Sequence, residues 1–227
     1  MVTINLYSVS GSLFMKKSLL AIIIIGLAAL LYFMQPQTDK NNADKKHTGL
    51  PWQIVISPEG QSTVFGITLG QSTLADIKRQ TDSIDIAIMS TSESDVSLEM
   101  YVNRFQAGVL TGKLVLVAGL PQEQLQAIRN RAIRSGGEHK FKMHPDDRLA
   151  VESSIVESMA FIPLVNLDEE VVKLRFGKPD EIIKQKTLTH MLYPSKGLDV
   201  IVDADGKEVL QYISPKLFNK LSDPLRP

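Results

Sequence analysis

The chain has 227 residues, and its 44% hydrophobic and 22% charged content is typical of a protein with a buried core, which argues against disorder over most of its length. Its 25 basic and 25 acidic residues cancel, so no phosphate-binding field is expected and nucleic acid is not the predicted partner. The sequence has no cysteine, which excludes disulfides, thiolate metal sites, a cysteine nucleophile and a cysteine-linked lipid anchor.

The first predicted element is a transmembrane helix over residues 18–34, a stretch without charge or proline. At about 1.5 Å per residue it approaches the ~30 Å of a hydrocarbon core. Lys16 and Lys17 precede it, so the positive-inside rule places residues 1–17 in the cytoplasm. We therefore expect a single-pass protein of the inner (cytoplasmic) membrane, held in the lipid bilayer by residues 18–34, with its C-terminal part in the periplasm.

Two alternatives remain open at this end of the chain. Met15, followed by a short basic and then an apolar region, also has the pattern of a natural start, so Met1 and Met15 both qualify. The apolar segment also fits a signal peptide cleaved after Ala28 or Ala29. Cleavage there would leave an apolar mature N-terminus, and an uncleaved anchor is therefore the favoured prediction.

A polar linker, residues 35–49, separates the anchor from a predicted first α+β unit at 50–137. A hairpin is expected around Pro58-Glu59-Gly60, and Ser72 is expected to cap a short helix. Alternating apolar residues then predict strands within 84–88 and 96–102, and the continuous apolar run 114–117 predicts a central strand. A helix should follow, beginning at Pro121 and ending at Gly136-Gly137.

A second α+β unit is predicted at 138–227. Asn166 and Glu169 have the spacing of a capping box, with Leu167, Val171 and Leu174 on one helix face and Gly177 at the C-terminal cap. A strand is expected at 191–193, and a hairpin should join 198–202 to 209–213. Its turn, Asp205-Gly206, has the composition of a type I′ turn. A last short helix is expected at 215–221.

Residues 166–213 resemble the small envelope domain of the BamE (SmpA/OmlA) family. The match is carried by Gly177-Lys178-Pro179 at the end of a helix, by Leu192-Tyr193-Pro194, and by the hairpin with its Asp205-Gly206-Lys207 turn. In that family a short helical pair ending in Gly-x-Pro precedes an antiparallel three-stranded sheet. Residues 65–73 and the strands after them resemble the opening of the same unit more faintly. The resemblance therefore implies two diverged repeats, as in a tandem β-lactamase-inhibitor-like fold.

One cluster has the composition of a metal site. His139 and His144, with Asp146 and Asp147, supply imidazole and carboxylate groups that suit zinc or copper. The alternative is that this segment is structural, with Asp146 or Asp147 capping the helix that follows. We favour the structural interpretation and predict no metal ligand, no cofactor and no catalytic residue.

Three further features have a functional and a structural interpretation. Ser153 or Ser154 with His190 would be the parts of a hydrolase, but no small-residue turn surrounds either serine, and His190 is expected to be exposed at a sheet edge. The acidic run 168–170 is expected to stabilise the start of a helix rather than to act as an acid/base pair. Trp52 is expected in the core, with an exposed binding anchor as the alternative.

The sequence thus predicts an α+β fold, with an N-terminal transmembrane helix followed by short helices packed on antiparallel sheets. The predicted function is a periplasmic protein-binding or scaffold module of the bacterial cell envelope, without catalysis and with an unidentified envelope protein as partner. The alternatives are an envelope metal-binding protein or hydrolase that uses His139 and His144, or a small-ligand binder between the two units.

Overall fold

The computed structural model describes residues 49–81, 84–92, 95–135 and 139–226, so the predicted anchor and most of the linker lie outside it. The described part is an α+β domain, as predicted. Its strands are β1 (Val55–Ile56), β2 (Ser62–Val64), β3 (Ile67–Thr68), β4 (Ile84–Ser92), β5 (Asp95–Ala107), β6 (Leu110–Ala118), β7 (Ile133–Arg134), β8 (Lys140–Lys142), β9 (Val156–Pro163), β10 (Glu181–Gln185), β11 (Leu188–Tyr193), β12 (Leu198–Asp203) and β13 (Val209–Ile213). Its helices are α1 (Leu74–Lys78), α2 (Gln122–Arg131), α3 (Pro145–Val151), α4 (Glu169–Phe176) and α5 (Asn219–Ser222).

Ten strands form one antiparallel sheet in the order β10-β11-β12-β13-β9-β6-β5-β4-β8-β7. The meander β4-β5-β6 forms one half and the meander β10-β11-β12-β13 forms the other. Strand β9 lies between them, pairing with β6 on one side and with β13 on the other. Strands from both sides of the predicted boundary at residue 138 thus share a sheet, and the division into two repeats stays a prediction.

Helices α1–α4 pack on one face of this sheet, over the main hydrophobic core. Helices α1, α2 and α4 contribute apolar pairs four or fewer residues apart to that core, which is the spacing of one helix face: Leu74 and Ile77, Leu125 and Ile128, Val172 and Phe176. The strands contribute alternate residues, because successive side chains of a strand point to opposite faces. In β5 and β6 these residues are Leu98, Met100, Val102, Leu114 and Leu116.

The hairpin predicted around Gly60 is confirmed, since β1 pairs antiparallel with β2. The strand predictions at 84–88, 96–102, 114–117 and 191–193 are confirmed as well. Five strands have no counterpart in the predictions: β3, β7, β8, β9 and β10. Three of them, β8, β9 and β10, lie within residues 138–227, which therefore hold more strands than the three-stranded sheet of the family they resemble.

Three helix boundaries differ from the predictions. Thr73, not Ser72, caps α1 and forms a capping box with Asp76, because the Ser72 hydroxyl already accepts a hydrogen bond from the Thr68 amide. Helix α2 ends at Arg131, since Ala132 is extended and β7 follows, whereas the predicted terminators at 136–137 lie outside the described residues.

Helix α4 begins two residues later than expected. The N-cap is Asp168, whose carboxylate accepts a hydrogen bond from the Val171 amide at 2.8 Å, so the Asn166 prediction is wrong. Val172 and Phe176 form the buried face of α4, so Leu174 lies on the other side of the helix and is 77% exposed instead of buried. Gly177 is the C-terminal cap, as predicted, with φ of 87°.

The hairpin of β12 and β13 is confirmed, but its turn is not type I′. Neither Asp205 nor Gly206 has positive φ, and residues 204–208 form a longer connection between the strands. The Asp203 carboxylate accepts a hydrogen bond from the Asp205 amide. This side-chain hydrogen bond stabilises the turn without positive φ angles.

Among the described helices none is long and apolar enough to cross a membrane, and the predicted span at 18–34 is not part of that set.

Candidate functional site

The face of the ten-stranded sheet opposite α1–α4 is the most distinctive surface of the domain, and we call it the open face. It carries the alternate side chains of each strand. In β9 and β6 these include Ser158, Ala160, Val115 and Val117, which are cross-strand partners and only partly buried. We call these four residues the central strip.

The C-terminal residues 215–226 cover one end of the open face. Phe218 and Leu225 form a separate hydrophobic cluster with Leu192 of β11 and Ile213 of β13. Gln185 donates a hydrogen bond to the Leu225 carbonyl, and Arg226 pairs with Glu181 at 2.6 Å, both on β10. This coverage stops at β13, and the central strip lies beyond it.

Next to this covered end, the open face holds a buried imidazole–carboxylate pair. His190 Nδ1 of β11 lies 2.8 Å from Asp199 Oδ2 of β12, and each side chain is only 2% exposed. Burial raises the pKa of Asp199, and the hydrogen bond from His190 partly opposes that rise. The pair is fixed in place because β11 and β12 are both interior strands of the sheet.

Gln211 of β13 extends this polar region toward the central strip. It lies directly opposite Asp199 in the β12–β13 register and opposite Ala160 in the β13–β9 register. Asp199 Oδ1 and Gln211 Oε1 are both buried, and neither has a hydrogen-bond partner in the described part of the chain. Two acceptors next to each other call for a shared donor, which a rotated Gln211 amide group or a water molecule would supply.

A second buried polar group lies on the other side of the central strip. Glu99 of β5 accepts hydrogen bonds from the Tyr101 hydroxyl and from Ser97 Oγ, the latter at 3.0 Å. Lys140 of β8 bonds to Asp85 of β4 at 2.6 Å and lies 5.1 Å from the Tyr101 ring. Burial raises the pKa of Glu99 and of Tyr101, and the hydrogen bonds from Tyr101 and Ser97 partly oppose the rise at Glu99.

The hydrogen bonds of these two polar groups are made within the sheet. His190 of β11 bonds to Asp199 of β12, Lys140 of β8 bonds to Asp85 of β4, and Glu99 bonds to Tyr101 and Ser97 of its own strand. The phenol is not activated as a base or nucleophile, because its pKa is shifted upward. One bond between different strands therefore lies on each side of the central strip.

Sequence reasoning missed the burial of Glu99, Tyr101 and Asp199 and the half-burial of Gln211. Each alternates with core residues along its strand, and polar residues in such positions normally face water. One sequence signal for this burial was available. An acidic residue and a hydrogen-bond donor two residues apart, such as Glu99 and Tyr101, lie on the same face of a strand and can bond to each other.

The predicted metal-type cluster is used structurally. His144 is the N-cap of α3, and its Nδ1 accepts a hydrogen bond from the Asp146 amide, so the prediction that Asp146 or Asp147 caps this helix is wrong. Asp147 instead pairs with Arg131 of α2, and His139 Nδ1 lies 3.2 Å from the Ser90 carbonyl. In the described ranges no three His, Asp or Glu side chains are grouped so that they would hold a metal ion.

The parts of the hypothetical hydrolase have different partners. Ser153 Oγ bonds to the Ala150 carbonyl, and His190 bonds to Asp199. The prediction that His190 is exposed at an edge is wrong, because β10 continues the sheet beyond β11. No Ser–His contact forms between these described residues.

The remaining two features behave largely as expected. Asp168 caps α4, and Glu169 and Glu170 occupy its first turn, which confirms the helix-start interpretation of 168–170. Trp52 is partly buried against the core, edge-on to Phe176 and beneath the Arg175 guanidinium.

Comparisons with protein-family models, with curated proteins and with solved structures found no match for this chain.

Proposed function

We propose that this chain is a single-pass protein of the inner membrane of the bacterial cell envelope, whose periplasmic domain binds another protein without catalysis. The apolar segment 18–34 behind Lys16 and Lys17 supports the anchor and its orientation. The binding role rests on one observation: the central strip of the sheet is partly exposed, while helices cover the opposite face and residues 215–226 cover one end of the same face.

The central strip fits a protein partner with an apolar contact surface. Valine, alanine and serine side chains give it a mostly apolar surface, and backbone pairing with strands on both sides holds that surface in the interior of the sheet. A rigid surface loses little conformational entropy on association, which favours binding. Lys113 lies next to the strip on β6, and it adds a polar rim at which charged groups of a partner stay hydrated.

The element order supports a tandem, BamE-like origin. Helix α1 is followed by the meander β4-β5-β6, and helix α4 with its Gly177-Lys178-Pro179 end is followed by the meander β10-β11-β12. We propose that these are two diverged copies of one helix–meander unit, which β9 joins into one sheet. Their shared open face is then a surface that neither copy has alone.

A photo-crosslinking experiment tests the binding role. A benzophenone amino acid is placed at Ser158 in the central strip of the full chain, and a control is placed at Asn130, which is exposed on α2. In intact cells the Ser158 position should yield one discrete crosslinked partner and the Asn130 position none. The identified partner is then purified, and its affinity for the full chain in detergent is measured.

The decisive comparison is a pair of lysine variants. Val115→Lys places a charge in the strip beside Tyr101, and it should weaken the measured affinity at least tenfold, whereas Asn130→Lys should leave it unchanged. Unchanged fluorescence of Trp52, the sole tryptophan, checks that each variant is folded. Equal affinities of the two variants for the partner would show that the central strip is not the binding site.

A further inference from the structure

A small apolar patch is exposed at one end of the sheet, where the β5–β6 turn meets the connection from β9 to α4. Val109, Leu164 and Val165 are 83%, 60% and 47% exposed. The two segments are neighbours, because the Leu164 amide donates to the Thr111 carbonyl at 2.9 Å and Gly112 pairs with Pro163. Hairpin tips normally carry polar or glycine residues, so a valine that is almost fully exposed at this tip is unusual.

The described chain begins beside this patch. A Cβ atom on Gly108 would lie 2.6 Å from Leu50 Cδ2 and 3.4 Å from the Gly49 carbonyl oxygen, so the first described residues pack directly on the residue before Val109. Residues 35–48 connect Gly49 to the apolar segment 18–34. A random coil of that length spans on the order of 20 Å. The patch is therefore on the end of the domain from which the chain leads to the anchor.

Charges of both signs lie beside the patch. Lys207 donates a hydrogen bond to Asn166, directly after Val165, and Asp203 and Asp205 belong to the same hairpin connection as Lys207. Apolar side chains next to a lysine whose stem can lie along a lipid surface suit the headgroup region of a bilayer. The adjoining turn offers one lysine and no cluster of basic residues, so the contact should depend on apolar insertion and only weakly on anionic lipid.

We propose that Val109, Leu164 and Val165 insert into the outer surface of the membrane that holds the anchor, and so orient the domain with this end toward the lipid. The inference rests on the proposed anchor at 18–34. The opposite end of the sheet, which includes Ser195 in the turn between β11 and β12, then faces away from the membrane.

Site-specific labelling of the full chain in liposomes tests this orientation. The chain has no cysteine, so single substitutions place one environment-sensitive fluorophore at a time. The positions are Val109→Cys and Leu164→Cys in the patch, Ser195→Cys at the far end, and Ile24→Cys in the apolar segment. Each label is challenged with a lipid-borne quencher and with an aqueous quencher.

We expect lipid-borne quenching at positions 24, 109 and 164 and mainly aqueous quenching at 195. Strong lipid quenching at 24 with purely aqueous quenching at 109 and 164 would contradict the insertion of the patch. The proposed anchor at 18–34 would then still stand. Absence of lipid quenching at 24 would overturn the anchor, and the patch with it. Equal lipid quenching at 109 and 195 would also overturn the proposed orientation.

A second variant keeps the label out of the patch. With the fluorophore at Lys186→Cys, in the neighbouring β10–β11 turn, the double substitution Val109→Asp and Leu164→Asp should reduce lipid quenching at least threefold. Leu174→Asp is the matched control, since Leu174 is an exposed apolar residue of α4 outside the patch. The same quenching in both backgrounds would contradict the insertion, as would a strong dependence on the fraction of anionic lipid.

Discussion

At the scale of single residues, the open face shows how a sheet accommodates buried ionisable groups. Asp199 is almost completely buried, and its only side-chain hydrogen bond in the described part of the chain is to His190. A buried carboxylate without full hydrogen bonding is costly, so the folded state favours the protonated carboxyl and the pKa rises. The consequence is a dependence of stability on pH that can be assigned to one residue.

We predict that Asp199→Asn removes part of this dependence. The raised pKa means that the folded chain holds the proton more tightly than the unfolded chain, whose aspartate titrates near pH 4. The stability from this group is therefore complete below about pH 4 and is lost as the pH rises through the folded pKa. In that window the wild-type free energy of unfolding should fall relative to the variant by up to about 1.4 kcal/mol per pH unit.

The measurement is urea unfolding of both full-length chains in detergent, followed by Trp52 fluorescence from pH 4 to pH 7. Glu99 has a raised pKa as well, but it is present in both chains and cancels in the difference. Parallel stability curves for the two chains would show that Asp199 is ionised in the folded state throughout.

The wrong prediction that His190 is exposed is explained by one neighbouring strand, β10. Its position was predicted without β10, and a strand without an outer neighbour is an edge strand. β10 gave no clear signal because its residues are mostly exposed and lack the alternation of a half-buried strand. Because the prediction omitted this strand, it placed a buried histidine at an exposed edge.

At the scale of elements, helix α4 shows how tertiary packing selects between two candidate caps. Asp168 has its carboxylate in contact with the Val171 amide, and Asn166 uses its amide oxygen for Lys207 instead. Both residues are favourable N-caps by composition, so the sequence alone left the choice between them open. The packing of Val172 and Phe176 into the core decides it.

We predict unequal costs for removing the two candidate caps. Asp168→Ala should lower the free energy of unfolding by about 1 kcal/mol, because the Val171 amide loses its acceptor and the helix start loses a negative charge. Asn166→Ala should change it by less than about 0.5 kcal/mol, as expected of an exposed residue away from the cap. Urea unfolding of the two variants compares them directly, and equal losses would contradict the assigned cap.

Elements with strong local patterns were predictable and those defined by tertiary pairing were not. The strands β4 and β5 alternate over five or more residues, which is sufficient to identify a half-buried strand. In contrast, β7 and β8 are two and three residues long and exist because β8 pairs with β4, about fifty residues earlier in the chain. The central strip depends on the β6–β9 pairing and was unpredictable for the same reason.

At the scale of the whole molecule, β9 decides whether the domain behaves as one unit. It pairs with both meanders and contributes Met159 and Phe161 to the main core. Loss of β9 would expose the inner edges of β6 and β13 together. The sheet should therefore unfold in a single cooperative transition, even if its two halves arose as separate copies.

Substitution in β9 tests this cooperativity. Met159→Ala removes a side chain that is 2% exposed and should cost about 2–4 kcal/mol. Because β9 pairs with both meanders, the slowest-exchanging amides in β4–β5 and in β11–β12 should both exchange faster. The free energy of opening derived from their exchange rates should fall by the same amount in the two sets. Leu174→Ala, at an exposed position of α4, should leave both sets within about 0.5 kcal/mol. If Met159→Ala accelerates exchange in only one meander, the two halves open independently, and the open face is then a junction between two domains.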